Sequence, residues 1–154
     1  MKKYQNILLI LLTMGIASSC ATTSVERNYF TSSGSPEVTV NAPKEEITNY
    51  LLGVMANYNL SIVSQSTNNI ILERPVTGNE TFAVALTIGN SYSSNSRVSN
   101  LSFYETSSGI RVIWKQFYKA MMPGGQVNQR QLTDNALFNM NMETLLEMKA
   151  ALEN

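Results

Sequence analysis

The chain has 154 residues, 44% of them hydrophobic and 14% charged, with a formal net charge of zero. That is enough apolar material for one folded domain and too little charge for a disordered polyelectrolyte. One cysteine excludes an internal disulfide, and the absence of histidine excludes Ser-His-Asp and Cys-His catalysis and any histidine metal site. No dense basic tract occurs, so a nucleic-acid surface is not expected.

The first nineteen residues read as a secretory signal. Lys2 and Lys3 form a positive start, Ile7 to Leu12 begin an apolar run that reaches Ile16, and the small residues Ala17, Ser18 and Ser19 follow. The run is about half of what a membrane-spanning helix needs. Residues 20–36 are then expected to be a flexible tether, rich in Ser and Thr, with Gly34 and Pro36 and no apolar period. Tyr29 and Phe30 interrupt its polar character, and docking on the domain accounts for them most simply.

Residues 37–154 are expected to be a single α+β domain. Glu37-Val38-Thr39-Val40 alternates as a short strand. Pro43 opens a helix with Glu45 and Glu46 in its first turn, carried by Ile47, Leu51, Val54 and Tyr58 at helical spacing. The stretches 60–65 and 69–74 form a hairpin turned at 66–68. In 82–88, Phe82, Val84, Leu86 and Ile88 alternate with smaller residues, which predicts a strand. A polar loop through Tyr92 leads to a second hairpin, 98–106 and 110–118, turned at Ser107-Ser108-Gly109. Pro123-Gly124-Gly125 breaks the chain before a helix over 132–152, starting near Thr133 or Asp134, with Leu137, Leu145, Met148 and Leu152 on one stripe. The expected architecture is one curved antiparallel sheet of five to six strands. It packs an N-terminal helix and a long C-terminal helix on its apolar face, in a helix-grip-like arrangement.

Ile16-Ala17-Ser18-Ser19-Cys20 resembles the lipobox of bacterial lipoproteins, departing from it at Ala17, where leucine is commoner. The resemblance implies lipid, palmitate among it, on the sulfur of Cys20 and a mature chain that begins there. Ala21 in place of an aspartate favours the outer membrane, facing the periplasm. Val38 to Ile47, a strand followed by a small residue, Pro, two acidic residues and an apolar position, resembles the opening of START-like helix-grip domains. The order of elements also resembles the modules of outer-membrane assembly lipoproteins of the BamC type. Neither resemblance carries a catalytic residue.

The chemistry-bearing residues read mostly as structural. Glu45 and Glu46 are adjacent and diverge on a helix, which suits a solvated helix start better than acid/base work. Met121, Met122, Met140, Met142 and Met148 read as core filling in preference to a promiscuous groove. Gly124-Gly125 lacks the lysine of a phosphate loop. Arg111, Lys115 and Lys119 share one strand face with Ile113 and Phe117. They are either an ordinary solvated face or a strip for a partner. Phe82, Leu86, Phe103, Trp114 and Leu145 are the candidate lining of a helix-grip cavity. The leading expectation is a non-enzymatic lipoprotein without cofactor or metal, anchored to membrane through Cys20 and binding an envelope protein. A carrier or sensor of a lipid or small apolar ligand is the second. A phage- or plasmid-encoded exclusion lipoprotein is the third.

Overall fold

A computed structural model describes residues 25–88 and 94–154, apart from the side chains of Phe82 and Thr87. The signal pattern and Cys20 lie outside the described residues. The elements run β1 (Glu37–Val40), α1 (Lys44–Asn57), β2 (Ser61–Gln65), β3 (Asn69–Pro75), α2 (Asn79–Ile88), β4 (Ser94–Thr106), β5 (Gly109–Met121), β6 (Val127–Gln131) and α3 (Asn135–Glu153). The strands form one open, fully antiparallel sheet in the order β1-β5-β4-β3-β2. β6 also pairs with β5, along Phe117–Met121, while β1 covers the other end of that same edge.

Alternation decides which face each side chain takes. Val112, Trp114, Gln116, Tyr118 and Ala120 of β5 point to one face and are buried, as are Leu101 and Phe103 of β4 and Ile70 and Leu72 of β3. α1 lies on this face because Ile47, Leu51 and Met55 recur every fourth residue, and all three are fully buried. α3 is capped by Asp134, whose Oδ1 accepts from the Leu137 amide at 2.9 Å. It adds Phe138, Met142, Leu145 and Met148 to the same core and packs along β1.

The hairpin between β4 and β5 needs Gly109. Its φ is +128°, and a Cβ there would stand 2.8 Å from the Val40 carbonyl carbon and 3.0 Å from Asn41 Cα. The end of β1 therefore runs where any side chain at 109 would project.

Three expectations are corrected. The segment 82–88 is a helix, not a strand. Of its alternating large residues, Val84 is fully buried and Leu86 is 73% exposed, which a strand with one large-residue face does not give. Val84 and Ile88, one turn apart, pack with Ala83 onto Val76, Tyr118 and Leu132. The sixth strand is instead β6, a fully exposed polar run with no hydrophobic alternation to reveal it. It forms because Gly124 and Gly125, both at positive φ, turn the chain back onto β5.

The third correction concerns the tether. Residues 25–36 lie on the domain. Asn139 of α3 donates from Nδ2 to the Glu26 carbonyl at 2.8 Å and accepts from the Asn28 amide at 2.9 Å. Asn135 donates to the Val25 carbonyl, Arg27 stacks 3.9 Å from the centre of the Phe138 ring, and Tyr29 packs on the core, whereas Phe30, also expected to dock, is 97% exposed. A buried asparagine needs both its amide groups satisfied, and this segment supplies them.

Candidate functional site

The three helices share one sheet face, and among the described residues no element covers the other. That bare face carries the predicted strip. Arg111 Nη2 reaches Glu37 Oε2 at 2.5 Å and Ser32 Oγ at 2.9 Å. Lys119 Nζ lies 2.8 and 3.1 Å from the two oxygens of Glu73, which also accepts from Ser96 Oγ at 2.5 Å. Two of the three cations are thus neutralised by carboxylates, Arg111 by Glu37 on the adjacent β1 and Lys119 by Glu73 on β3 beyond β4, and Lys115 stands exposed between them. Val98, which is buried, and the half-buried Phe117 pair across β4 and β5, while Ile71 on β3 and Ile113, separated from Phe117 by Lys115, are half-buried on the same face. Beside this apolar patch, an open groove of about 450 Å³ is lined by Val63, Glu73, Ser96, Lys119 and Met121.

Burial alone would raise the Glu37 carboxyl. Hydrogen bonds from Ser32, Ser33 and Arg111, with the guanidinium charge, outweigh it and hold the group down at about 2, against an ordinary 4.5. The same opposition, with Lys119 and Ser96 as donors, lowers Glu73. A carboxyl depressed in the folded chain stabilises it above the unfolded pKa and stops doing so as pH falls through the folded one. Glu37→Gln is therefore expected to cost stability near neutral pH and nothing below about pH 2, the difference closing between about pH 4.5 and 2. Urea unfolding of both proteins at a series of pH values checks this. A difference that persists unchanged at the acid end would contradict it.

The residues expected to line a cavity are dispersed. Phe103 and Leu145 are buried inside the core, Leu86 faces solvent, and the Phe82 side chain lies outside the described residues. Phe103 edges an open depression beside the start of α1, and Trp114 lines a separate cavity, so the expected residues share no common space. A space of about 200 Å³ lies between the helix-covered sheet face, the end of α1 and α3, bounded by Met55, Tyr58, Leu60, Arg74, Arg97, Ser99, Trp114, Gln116 and Met140.

One side of that space is a polar network. Glu80 Oε1, from α2, accepts from Arg74 Nη2 at 2.7 Å and Arg97 Nη1 at 3.1 Å. Arg97 also donates from Nε and Nη2 to Gln116 Oε1 at 2.9 and 2.5 Å. Gln116 passes the chain on to Asn141 of α3 at 3.1 Å, and Trp114 Nε1 donates to Ser99 Oγ at 2.6 Å. The hydrogen bond from Arg74 is the leading reason that the Glu80 carboxyl sits below its ordinary range, ahead of the opposing effect of burial. The network holds two guanidinium groups on one carboxylate.

Sequence reasoning missed this cluster. One signal was present: Gln116 interrupts an otherwise apolar face, Val112, Trp114, Tyr118 and Ala120, and a buried amide demands partners. Comparison of the chain with protein-family models, curated proteins and solved structures finds no match. Among the described residues, no group of three or more metal-ligating side chains converges, and no helix is long and apolar enough to cross a membrane.

Proposed function

We propose that this is a lipid-anchored protein of the bacterial envelope, held through Cys20, whose domain binds another envelope protein on the bare face of its sheet and performs no catalysis. The leader pattern and the single cysteine support the anchor. The observation that carries the binding role is the helix-free face itself, where the half-buried Phe117 lies beside Val98 of β4, between the ion pairs Arg111–Glu37 and Lys119–Glu73. A sheet face with an apolar centre and a charged rim has the anatomy of a protein interface.

The docking of residues 25–36 tightens the geometry of such an anchor. From Cys20 to Val25 there are five peptide steps, a reach of at most about 18 Å. Lipid on Cys20 would hold the start of α3 close to the headgroups, so a partner would belong to the same membrane or lie against it.

Phe117→Asp is the direct test. A charge at the centre of the patch is expected to weaken partner binding by about 30-fold or more, as for an interface anchor. A photo-crosslinking residue in place of the exposed Tyr104 should trap one discrete adduct in cells, and Phe117→Asp should abolish it while thermal unfolding shows the domain still folded. An adduct that survives Phe117→Asp, or none with the parent protein, contradicts the reading.

A further inference from the structure

The cavity on the helix side of the sheet is independent of that face. Two features make it more than a packing gap. Its walls are of two kinds, with Met55, Leu60, Trp114 and Met140 opposing the Arg74–Arg97 pair. Its charge is also incomplete. Among the described residues Glu80 is the one carboxylate that pairs with either arginine, so the pair keeps an excess positive charge beside an apolar wall. The contacts to Glu80, Gln116 and the Pro75 carbonyl use roughly half of the ten N–H donors that two guanidiniums carry. Both arginine side chains are only 20% exposed, and a partly desolvated excess charge favours an anion that completes the set.

We propose that this cavity binds a small monoanionic amphiphile, its carboxylate on Arg74 and Arg97 and its apolar end among Met55, Leu60 and Trp114. One excess charge matches a carboxylate better than a dianionic phosphate. The volume of about 200 Å³ lies below the usual range of ligand pockets, about 300–1,000 Å³, and so limits the guest to a compact molecule and excludes a diacyl lipid. Met140 and Tyr58, 41% and 48% exposed, line the cavity where it opens to solvent.

The chain has a single tryptophan, and it lines the cavity, so its fluorescence reports on occupancy. The test uses the full chain carrying Cys20→Ala, which keeps lipid off the sample, titrated with 3-phenylpropionate, 3-phenylpropanol and 3-phenylpropylamine. The acid is expected to change Trp114 emission saturably. The alcohol should bind about tenfold more weakly, as expected when a charge-assisted contact is lost, and the amine should not bind. Arg74→Gln is expected to lower the affinity for the acid by about tenfold while leaving that for the alcohol unchanged. Should Arg74→Gln fail to fold, Met140→Phe narrows the mouth without touching the arginines and should weaken the acid and the alcohol alike. No saturable response to the acid, an equal response to acid and alcohol, or full affinity in a folded Arg74→Gln would each overturn the proposal. So would full affinity for the acid in Met140→Phe.

Discussion

Phe103→Ala is expected to lower the unfolding free energy by about 3–5 kcal/mol, and Leu86→Ala by less than about 0.5 kcal/mol. Both residues were expected to line the same cavity, and the structure separates them completely. Phe103 is 2% exposed, locked between β3, β5 and the helices, so deleting its ring loses the transfer term and leaves a void that the surrounding sheet cannot close. Lys44 Nζ lies 5.5 Å from the ring centre and would lose that contact as well. Leu86 is 73% exposed on the outer side of α2, where an alanine removes little that is out of water. A domain of this size is stable by only about 5–15 kcal/mol, so the Phe103 variant should be close to unfolding at ordinary temperature. Urea denaturation of both variants measures the contrast. Equal losses would put Leu86 in a core where the structure does not have it.

The legible parts of this fold are those where local pattern and long-range packing agree. The β4–β5 hairpin announced itself through alternation on both sides of Ser107-Ser108-Gly109, although Gly109 belongs to β5 and pairs with Thr106, so the turn is Ser107-Ser108 alone. α1 was readable from Pro43, the acidic first turn and the helical spacing of Ile47, Leu51, Val54 and Tyr58, although the buried stripe runs through Met55 and leaves Tyr58 48% exposed. α2 was not, because a ten-residue element with large residues at every second position satisfies a strand template as well as a helix one. Its helical state depends on non-local partners, with Glu80 reaching Arg74 on β3 and Arg97 on β4. β6 has no apolar signal at all and exists as the return limb of a glycine turn.

The same distinction explains the sites. The cation strip on β5 could be placed on one face by counting residues, but its neutralisation by Glu37 and Glu73 requires knowing that β1 lies beside β5 and β3 one strand beyond β4. The arginine cluster joins residues of β3, α2, β4, β5 and α3, and apart from the buried Gln116 no single element carries a sign of it. The segment 25–36 lacks apolar period because its docking rests on hydrogen bonds to Asn135 and Asn139 and on two aromatic contacts, none of which has a periodic signature.

Cys20→Ala has the second large expected effect, and it bears on the whole account. Each methylene that enters the bilayer contributes about 0.8 kcal/mol, and a single acyl chain holds a protein only marginally, whereas two or more hold it stably. The lipoproteins that the leader resembles carry two or three. Removing the sulfur should therefore move the protein from fully membrane-bound to soluble or unprocessed, an all-or-none change set against the small effects of surface substitutions elsewhere. Fractionation of cells that express the parent protein and Cys20→Ala, with the intact mass of each recovered chain, is the decisive measurement. The account predicts the parent in the membrane fraction, cut before Cys20 and heavier than its polypeptide by attached acyl chains, and the alanine variant without that mass and released from the membrane. An alanine variant that partitions with membranes as the parent does, or a parent chain whose mass shows no lipid, would contradict it.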